Sequence, residues 1–302
     1  MKNHFIPANK FPIKIDENIF ILGNYFFNLF LIIGDRQTAL FEVGISAIVD
    51  TVINQMEHLD ISPDFIIPSH PHSDHITGLP GLAKRYPKAG IMAAKGAKEF
   101  IEHPKAAPLL IKEDHFMSKS LAGLNIQPGR PPLESIPDLE GSIVINSKHS
   151  IDLGKITLDL TKVDGHSPGN LIGAVNEKSI LFCSDSIGFH FPGRGYLPLF
   201  FTHADSYIST FEFIKKSCPS IICPAHQGPM AGKKAASAIQ ESFDITLDTI
   251  KKIKTSKLSD QTLAMSIFEQ NYKDEFTLYT RDNIKNCAKL LVKRAKEAAI
   301  NP

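Results

Sequence analysis

The sequence predicts a mixed α/β protein with an added helical part at its C-terminus. Three observations predict it. Short apolar runs of strand length recur up to residue 232, and several end in His or Asp followed by Gly, Ser or Pro. Helical periodicity separates them, for example over 47–57 and 205–216. Beyond Gly232 the composition shifts to helix formers with little Gly or Pro. A chain of 302 residues, 43% of them hydrophobic, can bury a substantial core. No internal repeat or low-complexity tract interrupts it.

Taken in order, strands are expected near 11–15, 18–22, 25–33 and 37–42. The third holds the longest apolar run, which is too short to cross a bilayer and carries Asn28, so it reads as a buried strand. Ser46 is the expected cap of a helix over 47–57. The apolar run Phe65-Ile66-Ile67-Pro68 leads through Ser69 into His70-Pro71-His72-Ser73-Asp74-His75, and a helix near 79–86 follows. From 97 to about 139 the core pattern breaks. This Pro-rich stretch, with Phe116, Met117, Leu121 and the turn Pro128-Gly129-Arg130-Pro131-Pro132, reads as an insertion near the site. Apolar runs at 156–163, 179–183 and 221–223 feed His166, Asp185 and His226. Segments 233–254, 259–271 and 278–299 read as three amphipathic helices. The last presents Ile284, Cys287, Ala288, Leu291 and Val292 on one face. The division expected is 1–232 as the main domain and 233–302 as a helical extension packed on it.

The string His70-x-His72-x-Asp74-His75 places four potential ligands on one strand-to-helix loop, where side chains can converge without straining a regular element. Three imidazoles and a carboxylate are donors that Zn²⁺, Fe²⁺ and Mn²⁺ accept. Downstream, Asp164-Gly165-His166-Ser167-Pro168-Gly169, Phe182-Cys183-Ser184-Asp185-Ser186 and Cys223-Pro224-Ala225-His226-Gln227-Gly228 repeat the same grammar of strand, ligand and turn. Each alone is weak; in this order they complete a set of five histidines and two aspartates suited to a two-metal hydrolytic site. The chain has twelve histidines. His4, His58, His103, His115 and His149 stand in no motif and read as surface or satisfied residues. His190 and His203 lie near the later segments, where structural or substrate-adjacent roles are expected.

On these motifs the chain resembles the metallo-β-lactamase-fold superfamily over roughly residues 15–230. The resemblance implies a four-layer αββα sandwich with metals at one sheet edge. It implies that His70, His72 and His166 hold a first metal and Asp74, His75 and His226 a second, with Asp185 bridging. Two divalent ions about 3.5–4 Å apart share a water and lower its pKa towards neutrality, which supplies hydroxide as the nucleophile. Asp74 and Asp185 are therefore the expected catalytic carboxylates, Asp74 also as an orienting group. Glu42, in Glu42-Val43-Gly44, stands where many members have Asp, and can hydrogen-bond a ligand histidine.

Departures narrow the field. One class of zinc β-lactamases has Cys where Asp185 stands, and flavodiiron proteins have Glu where His72 stands. The short gap between Asp185 and His226 leaves no room for a nuclease-type insertion. Cys183 reads as a packed core thiol. The aromatic segment 188–201 is expected to wall the pocket, with Phe189, His190 and Tyr196 as substrate contacts, and 199–201 packing the helix that follows.

The tail, the insertion and Leu40-Phe41-Glu42-Val43-Gly44-Ile45-Ser46 are similar to the quinolone-signal response protein branch of the superfamily. That similarity implies a helical cap and activity on thioesters, esters or lactones of small acyl or aromatic acids. It further implies homodimerisation and a second role in binding a regulatory protein. The rival readings are a mononuclear-iron persulfide dioxygenase and a regulatory binding protein with a structural metal. A net charge of +1 supplies no global field for nucleic acid or anionic membrane. The segment Met1–Pro7 lacks a signal-peptide core, and Cys183, Cys218, Cys223 and Cys287 form no disulfide or CxxC pattern, so a cytoplasmic location is expected.

Overall fold

The computed structural model of the protein describes residues 6–300; His4 and most of Met1–Pro7 lie outside them. The chain opens with an antiparallel meander: β1 (Ile13–Asp16), β2 (Ile19–Gly23), β3 (Asn28–Ile33) and β4 (Thr38–Phe41). After α1 (Val49–His58), β5 (Phe65–Ile67) joins β4 in parallel. The short α2 (Ser73–Ile76) and α3 (Leu79–Arg85) lead to β6 (Gly90–Ala94). Helices α4 (Ala97–Ile101) and α5 (Ala107–Gly123) lead to β7 (Ile143–Ile145), and the seven strands lie in chain order in one mixed sheet.

The second sheet contains β8 (Lys148–Asp152), β9 (Thr157–Val163), β10 (Asn170–Val175) and β11 (Ile180–Phe182). A separate hairpin, β12 (Phe189–Phe191) and β13 (Gly195–Leu197), and α6 (Ala204–Ser217) intervene before β14 (Ile221–Cys223) and β15 (Met230–Ala231). The strand order is β15-β14-β11-β10-β9-β8, with β14 parallel to β11 across the α6 crossover. Helices α7 (Lys233–Thr255), α8 (Asp260–Asn271) and α9 (Arg281–Glu297) follow and pack on one another. Among the described residues no helix is long and apolar enough to cross a membrane.

Period-two alternation explains why β3 is apolar throughout. Phe30 and Ile32 face the second sheet, in a cluster with Phe41, Leu158, Leu160 and Phe182. Leu29 and Leu31 face outward and join Val52 and Met56 of α1 in a second cluster. Burying each such side chain contributes about 1.5–3 kcal/mol. The two-sheet sandwich with outer helices is the expected fold class.

Several local expectations are corrected. Tyr25–Phe27 is not strand: Asn24 Oδ1 accepts from the amides of Phe26 and Phe27, at 2.9 and 3.1 Å, and folds them into a turn. Ser46 does not cap α1. It lies in a 3₁₀ turn, Ser46–Ile48, and both its amide and its hydroxyl donate to the buried Asp114 of α5. The stretch 97–139 holds two helices, α4 and α5; Pro108 sits in the first turn of α5, where its missing N–H leaves no helical bond unmade.

Candidate metal centre

Each potential ligand leaves the C-terminal end of a strand. His70, His72, Asp74 and His75 follow β5, with His72 immediately before α2. His166 follows β9, Asp185 sits in a 3₁₀ turn after β11, and His226 follows β14. Two glycines let these loops approach their supports. A Cβ on Gly165, whose φ is +111°, would lie 2.3 Å from the Tyr207 amide, so the His166 loop rests on the backbone of α6. A Cβ on Gly78 would lie 2.0 Å from the Val43 carbonyl, which lets the turn after α2 dock on the loop that carries Glu42.

All seven residues converge. His70 Nε2 lies 3.1 Å from both His72 Nδ1 and His166 Nε2. Asp74 Oδ2 lies 3.3 Å from His75 Nε2 and 3.6 Å from His226 Nε2. Asp185 stands between the two groups: Oδ2 is 3.5 Å from His166 Nε2 and from His75 Nε2, and Oδ1 is 3.5 Å from His226 Nε2. The triads His70/His72/His166 and Asp74/His75/His226 each bring their donor atoms within 4.8 Å of one another.

Behind the donors, four imidazoles are held through their other nitrogen. His75 Nδ1 lies 3.2 Å from Glu42 Oε2, as the sequence suggested. His70 Nδ1 lies 2.9 Å from Ser69 Oγ, which also contacts Ser184. His166 Nδ1 and His226 Nδ1 each lie 2.6 Å from a main-chain carbonyl, those of Leu199 and Phe26. The turn at Tyr25–Phe27 thus presents an acceptor to a candidate ligand. Tyr279, which no sequence signal marked, donates from its hydroxyl to Asp74 Oδ2 at 2.8 Å.

Burial pushes the imidazoles of His70, His72 and His166 down, His72 to about 3, which keeps them neutral donors. Burial also opposes charge on His75 and His226. At His75 the carboxylates of Asp74, Glu42 and Asp185 outweigh it, and at His226 Asp185 does so first, so both are raised. Burial would raise Asp74 and Asp185, yet His75 and His226 hold both below the usual carboxylate range. Asp185 is buried and Asp74 nearly so, and the inward-facing His75 Nε2 and His226 Nε2 have no hydrogen-bond partner among the described residues. Buried His/Asp clusters of this kind fit a dinuclear metal site.

The donors open into a cavity of about 640 Å³. Its wall is largely apolar: Phe100 and Leu110 from α4 and α5, Phe189 and Phe201 from the sandwich side, and Phe268, Phe276 and Leu291 from the C-terminal part. Of the expected substrate contacts, only Phe189 lines it. Alternation along β12 turns His190 to the other side, where its ring centroid lies 4.8 Å from that of Tyr196 on β13. Leu199 and Phe201 do more than pack α6, since both face the cavity. His203 precedes α6 as its N-terminal flanking residue and His103 lines the cavity, but neither belongs to a triad.

A two-sheet sandwich with this His/Asp centre is a hydrolase-like fold with a possible metal site. Residues 24–226 match the model of the metallo-beta-lactamase superfamily, and the chain belongs to that superfamily. Among solved structures it is similar to an archaeal metallo-beta-lactamase superfamily protein, ST1585 from Sulfolobus tokodaii. That match has 18% identity and a TM-score of 0.59, covering 94% of this chain and 100% of the other. A beta-lactamase domain protein from Burkholderia ambifaria gives 15% identity and a TM-score of 0.66, covering 95% and 89%. The stereoselective inverting sec-alkylsulfatase Pisa1 from Pseudomonas sp. gives 13% identity and a TM-score of 0.63. There the match covers 93% of this chain but only 49% of the other, about half its length. At these identities the likeness shows the fold. No curated protein matches the chain.

Proposed function

We propose that the protein is a dinuclear metal-dependent hydrolase of thioesters, or of related esters and lactones, of small acyl or aromatic acids. The observation that carries this reading is the joining of two donor triads, shared through Asp185, to one apolar cavity. His70, His72 and His166 would hold one ion and Asp74, His75 and His226 the other, with Asp185 serving both. Zinc suits this donor set, as do iron and manganese. When bound, such a pair supplies Lewis acidity and acidifies water towards neutrality.

The chain's own residues do the rest. Phe100, Phe189, Phe201 and Phe276 enclose the acyl or aryl group and exclude bulk water from its carbonyl. Asp74 and Asp185 offset the ions' charge and orient the attacking water. Helices α4, α5, α8 and α9 around the cavity support a place in the quinolone-signal response branch, and with it a homodimer and a regulatory partner. Four free cysteines support a reducing, cytoplasmic setting.

The test is hydrolysis of a panel of thioesters of graded acyl size, oxygen esters, lactones and phosphate esters by wild type and Asp185→Asn. Thioester turnover that disappears in the variant supports the reading. Turnover of phosphate esters alone would reject the substrate class. Oxygen uptake with a persulfide, one iron per chain and no hydrolysis would replace the reading with the dioxygenase.

A further inference from the structure

We propose that Tyr279 is a positioning residue of the second half of the centre: its hydroxyl holds the Asp74 carboxylate in ligating orientation, so that the C-terminal segment completes a site the sandwich begins. The proposal rests on reading Asp74, His75 and His226 as ligands of one ion.

The sandwich orients four of the imidazoles itself, through Ser69, Glu42 and the carbonyls of Phe26 and Leu199. Asp74 is different. It lies in the four-residue helix α2, its side chain is 11% exposed to the cavity, and its support comes from 205 residues away. The same oxygen that faces His75 and His226 receives the Tyr279 hydroxyl at 2.8 Å. A charge-assisted bond to a carboxylate fixes its direction more firmly than a neutral one would.

Tyr279 is itself held in place on both sides. The Thr280 amide donates to Glu113 Oε2 of α5 at 3.0 Å, and the Thr280 hydroxyl bonds the other oxygen of Glu113. The Tyr272 hydroxyl donates to the Tyr279 carbonyl at 3.1 Å, and the Phe276 ring meets the Tyr279 ring edge-on at 5.9 Å. Tyr279 is buried, at 7% exposure. The phenol is therefore aimed at Asp74 by a built framework.

The experiment is a chelator titration of zinc-loaded wild type, Tyr279→Phe and Asp74→Asn, counting retained ions, with thioester kinetics and unfolding of the metal-free proteins alongside. The phenylalanine keeps the ring and removes one oxygen. We expect the weaker-held ion of Tyr279→Phe to lose about 10–100-fold in affinity. The other ion and metal-free stability should stay near wild type, and kcat should fall with KM unchanged. Wild-type retention of both ions would overturn the proposal, as would equal weakening of both. A raised KM with wild-type retention would assign the hydroxyl to substrate and overturn it too. A wild type that holds a single ion would overturn both this proposal and the dinuclear reading. The titration uses no substrate, so a wild type that binds two ions but hydrolyses no thioester rejects only the substrate class.

Discussion

Glu42 Oε2 lies 3.2 Å from His75 Nδ1, joining the end of β4 to the ligand loop that follows β5. Glu42 is buried and adopts φ = +75°, a conformation that costs a residue with a side chain about 1–3 kcal/mol. The fold keeps that conformation at a position that orients one candidate ligand. Glu42→Gln removes the charge that holds the imidazole. Zinc affinity of one ion should fall about 10–100-fold, measured by competition with a coloured chelator. Unchanged affinity would make Glu42 a packing residue.

Asp114 is fully buried on α5 and accepts from the Ser46 amide and hydroxyl, the Thr77 hydroxyl and the Leu133 amide, at 2.5–3.0 Å. The single proton of the Thr77 hydroxyl is shared between Asp114 and the Ser73 carbonyl of α2, so Asp114 braces the ligand loop from behind. Asp114→Ala leaves buried donors unpaired and should cost about 2–4 kcal/mol in chemical unfolding. A loss under about 0.5 kcal/mol would mean that the loop is braced elsewhere.

Phe182 sits between the sheets with ring centroids 5.1 Å from Phe30 and 5.7 Å from Phe41. Phe182→Ala should destabilise the sandwich by about 3–5 kcal/mol, read from the shift of the denaturant midpoint. Both sheets depend on this contact, so the transition should remain single.

Ala288 on α9 is buried and lines the cavity. Ala288→Phe places a ring where an acyl chain would lie. On the proposed function, kcat/KM for long acyl thioesters should fall at least about tenfold while short ones are retained. An equal loss for all lengths would place the acyl group elsewhere.

The candidate ligands were legible because each lies in a short local string after an apolar run, and these strand ends, from both sheets, meet at one place. The inward and outward faces of β3 were legible for the same reason of period. Tyr279 and Asp114 were not, since each acts on residues far away in the chain and neither stands in a local pattern. The helix α5 was hidden by Pro108, which reads as a breaker until its place in the first turn is known. Tyr25–Phe27 reads as strand from apolarity alone; the side chain of Asn24 overrides it. His190 and Tyr196 do not line the cavity, because hairpin register, which composition does not carry, decides which side of β12 meets it.

The central claim is that Asp185 joins two triads into one dinuclear centre. Metal analysis of protein purified without chelators, for wild type and Asp185→Asn together, tests it most directly. The account predicts about two equivalents of transition metal in wild type and a clear loss in the variant. A single equivalent in both proteins would contradict it.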